Sequence, residues 1–239
     1  MSENPNRTNG LECVVLAGGL GTRLKDVVAD VPKTLAPINN KAFLFYLLAY
    51  LERQRVSRVI LALGYQSEKV EAWLNCHEFN FEIVLSVESE PLGTGGALKK
   101  ALGECISDNV IFLNGDTYFD IDLNLFYSKS IRHKDCWVSL AILKLNHPNR
   151  YGTVIVDGFS RITEFKEKCN IEEGFINGGI GVLNKNLFLS TMTSNSFSLE
   201  KDFFEKFVFS GCIAGFEFNN YFIDIGVPLD YAKAQIDFK

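Results

Sequence analysis

Two hydrophobic periods alternate along the first 120 residues, and few folds accommodate that pattern. Leu11 to Ala17, Arg58 to Leu63, Phe81 to Val87 and Asn109 to Leu113 read as short strands. Between them, Ala42 to Gln54, Ser67 to Leu74 and Leu92 to Leu102 read as helices, with Ser67 placed to cap the second. Strand–helix alternation of this kind predicts an α/β fold, a mostly parallel sheet with helices on both faces. Beyond about Asp120 the pattern changes. Cys136 to Leu143, Gly152 to Val156, Ile180 to Val182 and Ile213 to Phe218 read as strands separated by turns, with few helices between them. Ser198 is placed to cap a helix over Lys201 to Val208, and Pro228 to open a last one reaching about Ile236.

Charge and cysteine usage exclude several functions. The 239 residues carry 24 basic and 29 acidic side chains, a formal charge of −5. A non-specific binder of nucleic acid or of an anionic membrane needs a basic excess, so neither partner is expected. The six cysteines contain no CxxC pair, which argues against a disulfide framework or a zinc site and for free thiols in a reducing compartment. Met1 to Gly10 is polar, and no apolar run approaches the roughly 20 residues that span a bilayer. A soluble, cytoplasmic protein is the expectation.

The first strand runs directly into Gly18-Gly19-Leu20-Gly21-Thr22-Arg23. Glycines let backbone N–H groups approach an anion closely. Neither the Gly-x-Gly-x-x-Gly dinucleotide pattern nor the Gly-Lys-Ser/Thr ending of a P-loop is present. A bidentate cation, Arg23, and a point charge, Lys33, instead follow the glycines, and that pair suits a row of phosphates.

The run Leu16-Ala17-Gly18-Gly19-Leu20-Gly21-Thr22-Arg23-Leu24 and the later Pro32-Lys33-Thr34-Leu35-Ala36-Pro37 resemble the signature of the sugar-1-phosphate nucleotidyltransferases. The resemblance continues through Leu92-Gly93-Thr94-Gly95-Gly96-Ala97, Asn114-Gly115-Asp116, Phe165-Lys166-Glu167-Lys168, Asn177-Gly178-Gly179 and Ile223-Asp224-Ile225-Gly226, in order and over nearly the whole chain. It implies a Rossmann-like, mixed sheet and a single domain over residues 1–239, with a nucleotide-binding half at 1–120 and a sugar-phosphate-binding half at 121–239. It also implies a reaction that joins a nucleoside triphosphate to a sugar 1-phosphate and releases pyrophosphate. Three positions depart from the family pattern: Ala42 and Cys169, where proline is common, and Phe222, where tryptophan is common. None removes a charged group.

By the same resemblance, Leu16, Ala17, Gly18, Gly19, Gly21, Thr22, Gly93 and Thr94 surround the nucleotide. Arg23 faces its β and γ phosphates and Lys33 its α-phosphate. Asp116 and Asp224 hold Mg²⁺, a hard cation suited to carboxylates, water and phosphate oxygens. Glu167 accepts hydrogen bonds from sugar hydroxyls, Lys168 holds the sugar phosphate, and Asn177 and the backbone at Gly152 complete that pocket. Strand alternation would aim Glu167 and Lys168 to opposite faces, so this reading requires a bulge or a strand end there. The attacking phosphate oxygen is already anionic, so no general base is required, and His77, His133 and His147 lie outside every motif. Arg23, Lys33 and Asp116 are therefore the expected catalytic groups.

Glu88 stands just before the Leu92-Gly93-Thr94 motif, where the resemblance places the nucleobase, and points to GTP, because a carboxylate can accept both Watson–Crick donors of guanine. Phe197-Ser198-Leu199-Glu200-Lys201-Asp202 and Phe222-Ile223-Asp224-Ile225-Gly226 look most like the D-glycero-α-D-manno-heptose 1-phosphate guanylyltransferases of bacterial surface-polysaccharide synthesis. The mannose 1-phosphate guanylyltransferases are close behind. A silent homologue that binds a nucleotide sugar and regulates a partner is the remote alternative, set against by retention of Arg23, Lys33 and both aspartates. Twenty phenylalanines leave room for a homodimer face.

Overall fold

The computed structural model describes residues 10–19, 28, 31–166 and 170–238. Its centre is a parallel ribbon made of β5 (Glu82–Val87), β4 (Val56–Leu63), β1 (Leu11–Leu16) and β6 (Asn109–Asn114), in that spatial order. Successive residues of a strand face opposite sides, and here both sides are covered. Cys13, Val15, Val59, Leu61, Ile111 and Leu113 enter one core, while Val14, Ile60, Ala62, Val110 and Phe112 enter the other. The first core is closed by α1 (Phe43–Arg53), which buries Leu44, Leu47, Leu48 and Leu51. The second is closed by α3 (Gly93–Leu102), which buries Leu98, Ala101 and Leu102. The chain leaves β1 towards β4 and β5 on one side, then returns to β6 on the other. That reversal opens a crevice beyond the carboxyl ends of β1 and β6, the usual ligand position in such sheets.

Helix α2 (Ser67–Leu74) begins where the sequence placed it, but Ser67 is its first residue and not its cap. Gln66 occupies the cap position in a left-handed conformation, φ 59°, and its side chain makes no capping bond.

The second half extends the same sheet with antiparallel strands. β11 (Glu173–Asn184) pairs β6 through Ile180 to Asn184, and along its other edge pairs β8 (Val138–Asn146). β12 (Ile213–Glu217) adds in parallel to β8, β9 (Thr153–Val156) pairs β11 at Phe175 and Ile176, and β10 (Ile162–Lys166) pairs the far edge of β9. The sequence pointed to a strand only over Ile180 to Val182; the observed one has 12 residues. Gly178 and Gly179 interrupt the apolar pattern without ending the strand, because they form a bulge: Gly178 to Ile180 oppose the single residue between Leu140 and Ile142. Gly179 takes φ +74°, and a Cβ on Gly178 would lie 2.5 Å from the Phe119 ring.

Two helices went unread. α4 (Leu123–Arg132) is capped by Asp122, which accepts from the Leu125 amide at 2.9 Å, and α5 (Lys185–Thr191) by Asn184 in the same way at 3.0 Å. Each sits on a connection to which the sequence reading assigned no element. Ser198 does cap the next segment, accepting from the Lys201 amide, but that segment is not a regular helix. A wide π-turn over Leu199–Phe204 leads into α6 (Glu205–Phe207), and its apolar face buries Leu199, Phe203 and Phe204. α7 (Pro228–Asp237) closes the described chain.

The bulge carries a prediction. Alanine at position 179 must either hold a left-handed conformation or close the bulge. Gly179→Ala is expected to lower the unfolding free energy by about 1–3 kcal/mol, the general cost of such a backbone position. Urea denaturation measures it, and an unchanged midpoint would show that the bulge relaxes freely.

Candidate active site

Backbone pairing brings the two sequence-predicted metal carboxylates together. Asp116 follows β6 and precedes β7 (Thr117–Phe119); Asp224 ends β13 (Phe222–Asp224). β7 and β13 form a separate antiparallel pair in which Asp224 faces Thr117. The Ile225 amide donates to the Asp116 carbonyl at 3.0 Å, which fixes the two loops against each other. The Lys33 ammonium, nine-tenths buried, donates to Asp116 Oδ2 and lies 3.9 Å from Asp224 Oδ1. Room for that lysine comes from glycine. A Cβ on Gly226 would lie 2.6 Å from Lys33 Nζ and 2.7 Å from Asp224 Oδ1. Gly115 is needed for a similar reason: a Cβ there would approach the Leu16 carbonyl to 2.8 Å.

These groups open onto a cleft of about 430 Å³. Leu16, Ala17, Gly18, Gly19, Lys33, Glu88, Gly93, Thr94 and Asp116, all anticipated from the sequence, line it. Gly21, Thr22 and Arg23 lie outside the described residues. The lining also includes Thr34, Pro91, Ala97, Asn114 and Glu200, which the sequence reading did not assign. Thr34, Asn114 and Glu200 all stood inside quoted motifs, so position within a motif was the available signal.

Glu88 sits at the carboxyl end of β5. One carboxylate oxygen accepts from the Leu92 amide at 3.1 Å, and the other lies where a side chain on Gly64 would be, 2.4 Å from its ideal Cβ. Gly64 thus gives Glu88 its seat. Each carboxylate oxygen has two acceptor directions, so Glu88 keeps capacity for a ligand.

The start of α3 is strapped by the segment before the π-turn. The Phe197 carbonyl accepts from the Gly95 and Gly96 amides at 3.0 and 3.3 Å, and the Phe197 amide donates to the Leu92 carbonyl at 2.9 Å. A Cβ on Gly93, at φ +71°, would lie 2.5 Å from the Phe197 carbonyl oxygen. The Thr94 hydroxyl is used inside the protein. It donates to Glu200 Oε2 and accepts from the Leu199 amide, each at 2.9 Å. Ser198 Oγ donates to the same Glu200 oxygen at 3.2 Å, so this carboxylate enters the cleft in a fixed pose.

Of the residues expected to hold the sugar phosphate, the described ones, Gly152 and Asn177, do not line this cleft. Thr153 pairs with Lys166 on one side and Ile176 on the other, which sets Gly152 and Asn177 together at one end of three strands. Asn177 Oδ1 accepts from the Gly179 amide at 3.0 Å and so braces the bulge. Glu167, Lys168 and Cys169 lie outside the described residues; β10 is described as far as Lys166. Tyr151 links this corner to the carboxylates. Burial, then the Asp224 charge, with Asp116 adding, holds its phenol above the ordinary tyrosine range against the lowering effect of Arg150.

Among the described residues no three His, Cys, Asp or Glu side chains gather as a metal cluster. Two carboxylates reaching one ammonium do form a pair of hard oxygen donors already arranged around a positive charge. That set fits a hard divalent cation whose remaining positions go to water and ligand oxygens.

A parallel sheet with a crevice at its strand reversal, a glycine segment after β1 and a Lys–Asp–Asp cluster define a nucleotidyltransferase fold. The chain belongs to the nucleotidyl transferase family, whose sequence pattern matches residues 12–239. It is 44% identical to a D-glycero-α-D-manno-heptose 1-phosphate guanylyltransferase from Aneurinibacillus thermoaerophilus, over 94% of this chain and 97% of that one. A Campylobacter jejuni protein of the same description is 40% identical over 92% and 97%. The crystal structure of HddC from Yersinia pseudotuberculosis superposes with a TM-score of 0.87 at 38% identity, covering 96% of this chain and all of that one. Its complex with GMP-PN gives 0.86 at 37% identity, with the same coverage.

Thr94 can be tested directly. Thr94→Val keeps the shape but removes the partner of the Leu199 amide and one of the two hydroxyls on Glu200. The expected loss is about 1–2 kcal/mol of unfolding free energy, typical of two such bonds near solvent. A urea curve superimposable on the parent's would show that the strap is held by other contacts.

Proposed function

We propose that this protein transfers GMP from GTP to D-glycero-α-D-manno-heptose 1-phosphate, producing the GDP-sugar and pyrophosphate. The observation that carries the reading is the convergence of Lys33, Asp116 and the Gly18–Gly19 backbone in one cleft, with Asp224 joined to them through Lys33. The description of the relatives at 44% and 40% identity favours heptose and guanine.

The chemistry follows from charge. A sugar-phosphate oxygen, anionic at neutral pH, attacks the α-phosphorus in line with departing pyrophosphate, and no side chain has to remove a proton. The protein's task is to hold two polyanions in line and offset their repulsion. Lys33 turns its ammonium to the α-phosphate, and the amides around Gly18 and Gly19 receive phosphate oxygens. Asp116 and Asp224 would hold Mg²⁺, which when bound supplies positive charge shared between the two substrates. Arg23 serves the β and γ phosphates, and Glu167 and Lys168 the sugar and its phosphate, as the family resemblance implies. Glu88 accepts from the guanine edge. Gly152 and Asn177, set together beside Tyr151, border the sugar side.

A second reading, mannose 1-phosphate as acceptor, is favoured by relatives 30–32% identical that are described as mannose-1-phosphate guanyl- or guanylyltransferases. Pyrophosphate release with each nucleoside triphosphate against heptose, mannose and glucose 1-phosphates decides between them. GTP with the heptose is expected to be fastest, and chelation of divalent ions to abolish the rate. No described helix is long and apolar enough to cross a membrane, in keeping with the cytoplasmic setting we propose, where its GDP-sugar would feed glycosyl transfer to surface polysaccharide.

Lys33→Ala should reduce kcat/KM by roughly 10²–10³-fold, the usual consequence of losing one electrostatic stabiliser. Its circular dichroism should match the parent's, and full turnover by the folded variant would remove Lys33 from the reaction.

A further inference from the structure

Thr34 follows Lys33 in the single 3-10 turn Lys33–Leu35 and lines the cleft. The residue is only 3% exposed, and its hydroxyl has no hydrogen-bond partner. The turn's own bonds, Leu35 amide to Pro32 carbonyl and Ala36 amide to Lys33 carbonyl, are complete without it. The methyl group has a clear packing role: a Cβ on Gly115 would come within 3.0 Å of Thr34 Cγ2, so the methyl fills the space beside the Asn114-Gly115-Asp116 turn. The hydroxyl has none. Burying such a group unbonded is unfavourable, and a valine of the same shape would avoid the penalty. Gln66 Oε1 is also buried without a hydrogen bond, but it does not line the cleft.

We infer that the Thr34 hydroxyl is a phosphate-binding group, donating to a non-bridging phosphate oxygen of the bound nucleoside triphosphate. This rests on the function proposed above. Its surroundings select that ligand atom. Lys33 precedes it, Gly115 packs on its methyl, and Leu16 to Gly19 form the adjoining wall of the cleft. Lys33 offers its ammonium there, and Gly18 and Gly19 their backbone N–H donors. A hydroxyl is the one small side-chain group that can add a donor there without adding charge. A hydrogen bond absent from the free protein and made with the ligand strengthens binding at the expense of the stability of the free state.

That trade gives a test with two independent readouts. Calorimetric binding of GTP and of guanosine, each in magnesium buffer, is compared for the parent, Thr34→Val and Thr34→Ser, alongside thermal unfolding of the ligand-free proteins. Thr34→Val is expected to bind GTP about 10-fold more weakly, as for loss of a bond to a charged group. Guanosine binding should be unchanged and the melting temperature equal to or above the parent's. Thr34→Ser should restore GTP affinity to within about threefold. Unchanged GTP binding by Thr34→Val overturns the inference. So does an equal loss for GTP and guanosine, or a melting temperature that falls together with affinity. If the parent prefers another triphosphate, the guanine reading fails, and that triphosphate with its nucleoside decides the role of Thr34 in the same way. A parent that binds no triphosphate overturns both.

Discussion

Two carboxylates meeting at one lysine are the constraint around which the rest of this fold is arranged. Like charges do not gather unaided, and Asp116 and Asp224 are held by backbone, not by their own attraction. The β7–β13 ladder aligns them, and the Ile225 amide on the Asp116 carbonyl locks the loops. Lys33 then supplies the counter-charge from a third segment. The glycines beside each carboxylate are the steric condition for this arrangement. Gly226 leaves the space that Lys33 Nζ fills, and Gly115 lets its turn close on the Leu16 carbonyl, where its amide donates at 2.9 Å. Through that bond the cluster is tied to the end of β1 and so to the glycine segment that follows.

The second half of the chain builds the other walls by departing from regular structure. The bulge in β11 moves Asn177 out of simple alternation and accommodates Phe119 of β7 against Gly178, so one irregularity serves both the carboxylate loop and the corner where Gly152 and Asn177 meet. The strap from Phe197 to Glu200 takes amides at the start of α3 and places a carboxylate in the cleft. In both places glycine permits a close approach that any side chain would block. These irregular positions coincide with the motifs, as expected where function and not regular packing selects the backbone.

The regular parts of the fold were legible because they obey simple periods. β1, β4, β5 and β6 and the helices between them emerged from the first half within one or two residues. β11 was read only over Ile180 to Val182, after the two glycines, whereas the pairing on both of its edges carries the strand through them. α4 and α5 were missed although Asp122 and Asn184 are sound caps, because each helix follows directly on strand or turn residues and has only three turns or fewer to show a period. The site was legible for a different reason: its residues lie in short, specific motifs. What the motifs could not show is how the groups are used. The Thr94 hydroxyl turns inward to Glu200, one oxygen of Glu88 is committed to Leu92, and Asn177 braces a bulge. Those are consequences of three-dimensional pairing that linear spacing does not encode.

The charge balance of the cleft shapes the kind of catalysis the fold can support. At neutral pH a triphosphate and a sugar phosphate together bring about six negative charges, counting the partly titrated terminal phosphates. Among the described residues the lining holds one cation, Lys33, against the carboxylates of Glu88, Asp116 and Glu200. The described lining, being so acidic, does not by itself attract polyanions through side-chain charge. In the function proposed, the carboxylates would make the protein depend on a divalent ion, which would turn two repelling aspartates into a positive site only when bound. Backbone amides at Gly18 and Gly19 add donors that carry no net charge and need no counter-ion. A chain with a formal charge of −5 can in this way bind polyanions at one place while its remaining surface stays unattractive to them. The proposed preference for a small phosphorylated substrate would then follow from where the positive charge is confined, not from how much of it the molecule carries.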